Sequence, residues 1–178
     1  MENKPTTRAS YLIQLPGAFK IYKQENELYC VPACIKSVLQ YVNGASPSQS
    51  FIAGQVSTDI IGGTVPLEIA EFLNKNISGF YYMRTGSPRQ TTLCNNAYTT
   101  IVTSKKPCLL SIVNVYGVNW YYRTGGHRVV STEIQSDKLY MQLEDPLGGY
   151  PGNDNKTIPA KYTKPSAIVH DYCNDIIW

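Results

Sequence analysis

Four side chains in this sequence have the types and spacing that acyl-transfer chemistry needs: Cys30, His127, Asp145 and Gln24. Cys30 opens the run CVPACIKSVLQYV, in which Val31, Cys34, Ile35, Val38, Leu39 and Val42 recur at helical spacing. Pro32 suits a first helical turn, where its missing N–H loses no partner, and so sets the helix start close to Cys30. A cysteine there sits at the positive pole of the helix dipole, which favours the nucleophilic thiolate over the thiol. The chain has only two histidines, so the search for a base is short. His127 follows Gly125 and Gly126 and opens a predicted strand, while Asp145 lies just past the strand returning from the Ser136-Asp137 turn. A hairpin brings its open ends together, so the carboxylate can fix the imidazole tautomer and leave the other ring nitrogen to take a thiol proton. Gln24 lies on the segment leading into Cys30 and can donate, with the Cys30 N–H, to one developing oxyanion. A donor of that kind is typically worth about 2.7–4 kcal/mol. Taken singly, each residue has an ordinary explanation, as a buried thiol, a strand-end histidine, a turn former or a solvated glutamine. Together, in compatible places, they read as nucleophile, base, orienter and oxyanion donor.

The elements that must position them follow from periodicity and punctuation. Residues 1–10 are polar, contain Pro5 and read as a loose arm. Tyr11 to Tyr22 holds short apolar pieces around Pro16 and Gly17 that read as strand fragments. After the cysteine helix, Gly44 and Pro47 mark a break, Ser48 to Val56 reads as a short helix, and Gly62-Gly63 ends it. Thr64 as N-cap and Pro66 as first turn then open a helix through Leu67, Ile69, Ala70, Phe72 and Leu73. A strand from Gly79 to Arg84 follows. Ser87 and Pro88 read as the start of a helix carrying Leu93, Ala97, Ile101 and Val102 on one face, with Lys105 and Lys106 at its negative end. Cys108 to Val115 is apolar enough for a central strand, His127–Ile134 and Lys138–Glu144 form the hairpin, DPLGG is a loop, and the tail holds two more short strands. Helices crowd the chain before Pro107 and strands crowd the rest. That segregation predicts an α+β fold, helices packed on one side of an antiparallel sheet, in a single domain over 1–178.

Composition bounds the function. A chain of 178 residues, 43% hydrophobic and 16% charged, can bury a core without metals or bridges. A surplus of +3 is too small to argue for nucleic acid. No apolar stretch approaches the roughly 18 residues of a membrane span, and no hydrophobic signal region opens the sequence. As it stands the chain reads as soluble and unexported, or as secreted if it is the mature form of a longer one. Five cysteines, at 30, 34, 94, 108 and 173, leave at least one thiol free or paired between molecules. Tyrosine pairs at 81–82 and 121–122 read as alternating core residues of strands or, less simply, as walls of a peptide cleft. No cofactor is implied. An alternative of another class is structural zinc held by Cys30, Cys34, His170 and Cys173, which would require two distant ligand pairs to converge.

The residues also carry a resemblance. Gln24, five residues, Cys30 at a helix start, then a strand-borne His127 and a later Asp145 resemble the papain-like cysteine peptidases. More narrowly, Q-ENELY-C-VPAC followed by KPCLLSIV, GGHRVVS and LEDPLGG is similar to the C39 and C39-like, bacterial branch. The histidine comes earlier after the cysteine than the roughly 130–150 residues of papain itself, which suits that compact branch. The resemblance implies a papain-like fold with a cleft between helices and sheet, and a thiol peptidase acting on a peptide or protein through a thioester, with Cys30, His127, Asp145 and Gln24 in the roles above. The same thioester would serve side-chain amide chemistry, deamidation or amine transfer, and a non-catalytic binding module would keep the fold alone. Val31 stands where the family has glycine and Tyr29 where aspartate is common; a β-branched residue beside the nucleophile is expected to crowd the substrate.

Overall fold

The computed structural model describes residues 9–58, 63–116 and 119–178. Most of the expected N-terminal arm and Gly62 of the expected break lie outside them. Strand β1 (Leu12–Gln14) is the one part of Tyr11–Tyr22 that is extended in a ladder. Helix α1 spans Cys30–Asn43 and ends where Gly44 turns left-handed at φ 74°, donating its N–H to the Gln40 carbonyl. The buried face of α1 is the one its sequence period marks, with Val31, Cys34, Ile35, Val38 and Leu39 all inside. Each such side chain contributes about 1.5–3 kcal/mol by leaving water.

Helix α2 (Gln49–Gln55) is capped by Ser48, whose hydroxyl accepts the Phe51 N–H. Helix α3 (Pro66–Asn76) has the expected proline in its first turn, but its N-cap is Val65. The Thr64 hydroxyl is instead bonded to that of Thr58. The strand expected from Gly79 shifts to β2 (Arg84–Gly86). Asn74 is the cause: its side chain accepts the Tyr82 N–H and donates to the Tyr82 carbonyl, tying that residue to α3 rather than to a ladder. Ser87 does not cap the next helix, because its N–H goes to the Asn174 carbonyl at φ 43°. Helix α4 (Gln90–Tyr98) therefore starts later, with Arg89 at its N-cap, and continues into a π-helical turn, Thr99–Thr103.

Strand β3 is Cys108–Val115, as its apolar run predicts, and β4 (Thr124–Gln135) and β5 (Tyr140–Glu144) form the predicted hairpin. The tail supplies β6 (Lys161–Pro165) and β7 (Cys173–Ile177), with a short helix, α5 (Ser166–Tyr172), between them. The seven strands of the described residues make one antiparallel sheet in the order β2-β7-β3-β4-β5-β6, with β1 pairing the end of β4 that β3 leaves free. Alternation along the strands sends side chains to both faces. Leu109, Val130 and Ile177 pack with α1, α2 and α3, whereas Leu110, Val129 and Ile176 pack with α4 and α5. The expected one-sided packing holds for α1 to α3, and α4 and α5 cover the other face. The fold is α+β, with the N-terminal helices against the sheet as expected.

Candidate active site

Cys30 is the first residue of α1, so its backbone N–H is among those that have no partner inside the helix. Its thiol is half-buried and meets the ring of His127, which β4 delivers to the same place. In register, His127 pairs with Ile112 of β3. On the other side the last β4–β5 pair is Val130 with Glu144, so β4 runs on past β5 and the chain after Glu144 is free to turn toward the ring. Asp145, the next residue, places Oδ1 2.8 Å from His127 Nε2. Since Nε2 is taken by the carboxylate, Nδ1 is the nitrogen left for the thiol.

The electrostatics follow from this arrangement. Burial pushes the Cys30 thiol up, but the hydrogen bond and charge of His127 outweigh it and hold it below its ordinary value. Burial would push His127 down; the Asp145 carboxylate and the Cys30 sulfur instead raise it to about 10. For Asp145, burial raises and His127 lowers, with two tyrosine hydroxyls adding to the lowering, and the net direction is down. A thiolate beside an imidazolium is thus the favoured state between the two titrations.

Asp145 is held more tightly than its sequence suggests. The hydroxyls of Tyr122 and Tyr162 each donate to Oδ2 at 2.7 Å, and the Leu147 N–H donates to Oδ1 at 2.9 Å. The Tyr122 ring also stands edge-on to the imidazole, centroids 5.3 Å apart at 83°. Sequence reasoning placed Tyr122 with the pairs of strand-core residues; it lies in the irregular segment before β4. Tyr162 gave no signal beyond being a tyrosine on a strand.

Gln24 is 4% exposed and lines the same cleft as Cys30 and His127. Its segment is fastened from both sides. The Gln24 N–H donates to the Pro146 carbonyl, its own carbonyl accepts the Tyr150 hydroxyl, and Gln49 of α2 bridges Lys23 and Glu25. The side-chain Nε2 donates to the Asn26 carbonyl at 2.8 Å, which leaves a second hydrogen on that nitrogen. The cleft measures about 500 Å³, with Tyr122, Leu147, Tyr150 and Ile158 forming an apolar wall beyond His127. Val31 does not crowd it: the side chain turns into the core with α2 and α3.

The remaining cysteines lie elsewhere. Cys34, one turn further along α1, is fully buried, donates to the Arg128 carbonyl and is pushed well above its ordinary value by burial and by Cys30. All five thiols are free. The four residues of the zinc arrangement do not converge: Cys173 donates to the Asp175 carbonyl and His170 faces Asp171. Among the described residues no group of three or more His, Cys, Asp and Glu is placed to hold a metal, and no helix is long and apolar enough to cross a membrane. Beneath the site, Arg128 is buried and ion-paired with Asp175, which also meets Arg84.

No family model matches the chain, and no curated protein matches it in sequence. Solved structures do match in fold. The chain is similar to the peptidase domain of Streptococcus ComA, a bifunctional ABC transporter involved in quorum sensing, at TM-score 0.57 and 17% identity over 90% of this chain and 97% of that one. It is similar to a double-glycine-motif protease from an AMS/PCAT transporter, solved with a leader peptide, at 0.57 and 14% over 93% and 90%. It is also similar to xylellain, a cysteine protease from Xylella fastidiosa, at 0.61 and 10% over 93% and 84%. The papain-like fold that Gln24, Cys30, His127 and Asp145 pointed to is the fold of this chain.

Proposed function

We propose that the protein is a cysteine peptidase in which Cys30 is the nucleophile, His127 the acid and base, Asp145 the orienter and Gln24 an oxyanion donor. One observation carries the reading. A thiol at a helix start, lowered by His127, faces a ring whose other nitrogen is 2.8 Å from a buried carboxylate. In the proposed reaction the Cys30 sulfur attacks a peptide carbonyl, and the oxygen that becomes negative accepts from the Cys30 N–H and the free hydrogen of Gln24 Nε2. His127 passes its Nδ1 proton to the departing amine. A thioester is left, and water activated by the now neutral ring releases the acid. The fold shared with the peptidase domains above supports a peptide or protein substrate. Because one sheet carries His127 and packs α1 to α5 on its two faces, we read residues 1–178 as a single domain.

The test is labelling with a thiol-directed peptide electrophile and peptide mapping, in the native protein and in Cys30→Ala, Cys34→Ala and His127→Ala. Label should fall on Cys30 alone and be lost in Cys30→Ala. A Cys30 no more reactive than a free thiol at neutral pH, or one indifferent to His127→Ala, would overturn the assignment. Mass analysis of products made with and without an added primary amine separates hydrolysis from amine transfer.

A further inference from the structure

An ionised carboxylate only accepts hydrogen bonds, and its two oxygens offer about four sites. At Asp145 those sites face four donors: His127 Nε2 and the Leu147 N–H on Oδ1, and the Tyr122 and Tyr162 hydroxyls on Oδ2. The group is completely buried, so these four donors stand where bulk solvent does not reach. The two hydroxyls come from unrelated places, the irregular segment before β4 and the start of β6. Packing alone would not need them, since phenylalanine fills the same volume. The Tyr162 ring is packed among aromatic neighbours, and the Tyr122 ring stands against His127. Tyr162 lies 4.8 Å from the Tyr121 ring and 6.0 Å from Trp120, and Lys164 sits 4.5 Å from the Tyr121 ring while donating to the Asn119 carbonyl.

We propose that Tyr122 and Tyr162 are positioning residues that lock the Asp145 carboxylate, as an ion, in the single orientation that presents Oδ1 to His127, so that the site is built for a carboxylate and not an amide at this position. An asparagine could keep Oδ1 in place only by turning its NH₂ toward both tyrosines. Their hydroxyl hydrogens would then be buried without acceptors, each costing the desolvation of an unmet donor. The proposal rests on the peptidase reading for the role of His127, but its test needs no substrate.

The experiment is carbon-13 NMR of carboxyl-labelled aspartate across pH, with Asp145→Asn identifying the signal, in the native protein, Tyr122→Phe, Tyr162→Phe and the double variant. The substitutions leave His127 and Cys34, the other titratable groups that interact with Asp145, unchanged. Hydrogen bonds to the charged form favour it, so the Asp145 midpoint should rise by about one pH unit for each hydroxyl removed, a unit being about 1.4 kcal/mol. The low-field His127 Nε2 proton should broaden in step. Single variants that fold and titrate at the native midpoint would overturn the proposal. So would a single variant that fails to fold, because the hydroxyl would then serve the fold rather than the carboxylate. Should native Cys30 prove unreactive while the midpoint moves, the peptidase reading fails and the clamp stands.

Discussion

His127 Nε2 and Asp145 Oδ1 lie 2.8 Å apart, although the two residues are on the open ends of a hairpin 18 positions long. This contact assigns the ring: Nδ1 is turned to Cys30, and the charge of the imidazolium acts on the thiol. His127→Ala removes that charge and leaves burial, which pushes the thiol up. The midpoint of Cys30 alkylation by iodoacetamide, followed against pH, should therefore rise. An unchanged midpoint would show that the helix end alone activates the sulfur.

Peptide cleavage should follow a bell-shaped pH profile. Its acid limb is the formation of the Cys30 thiolate, below 9.0, and its alkaline limb is loss of the His127 proton, about 10. Alkylation of Cys30 needs only the thiolate and should not decline on the alkaline side. The same shifts set stability. His127 has a raised folded pKa, so its contribution is complete below 6.5 and lost as pH rises through about 10; Asp145, lowered, contributes above 3.8 and loses that as pH falls through its folded value. Denaturation midpoints should fall at both ends. Denaturation midpoints that stay level between pH 6.5 and 10 would count against the His127 assignment.

Cys34→Ala should leave Cys30 labelling within about twofold of native, because Cys34 is buried and its thiol is disfavoured as an anion. A loss of label comparable to that of Cys30→Ala would make Cys34 the nucleophile.

From the sequence alone, Asp145→Asn is expected to lower the rate by orders of magnitude less than Cys30→Ala, since an amide can still orient a ring. Four donors around the carboxylate reverse that expectation. The variant should lose about 1–3 kcal/mol of stability in urea for each hydroxyl left unmet, together with a large part of the Cys30 labelling rate. Native stability in Asp145→Asn would argue that the tyrosine hydroxyls find other partners.

Asp175→Ala strands the guanidinium of Arg128, which is 3% exposed, and should cost about 3–5 kcal/mol in urea unfolding. Arg128→Met with Asp175→Leu removes both charges and should recover most of that loss. A double variant no better than Asp175→Ala would mean that Arg84 and Arg128 support the fold through more than this pair.

The parts of the fold readable in the sequence are those written by local period. The 3.6-residue repeat from Val31 to Val42, the dense run from Cys108 to Val115 and the turn at Ser136-Asp137 each specify their element without help from the rest of the chain. The meeting of Cys30, His127 and Asp145 is legible because two of the three share a hairpin. What was hidden depends on contacts between distant segments. Asn74 holding Tyr82 moves β2, Ser87 pairing with Asn174 delays α4, and α5 has seven residues and no side-chain cap. The tyrosines on Asp145 were out of reach for the same reason: nothing near Tyr122 or Tyr162 records which buried acceptor each will meet.

The division of the site between α1 and the hairpin has a consequence for the chain as it is made. Proteins emerge from the ribosome N-terminus first and domains tend to fold as units. Helix α1 leaves with its thiol long before β4 and β5 exist, and until they dock onto it Cys30 is an ordinary cysteine with no imidazolium beside it. On the proposed reading, a chain whose sheet has not yet formed lacks the imidazolium that lowers Cys30, and the activated thiol arises only when β4 and β5 dock onto α1.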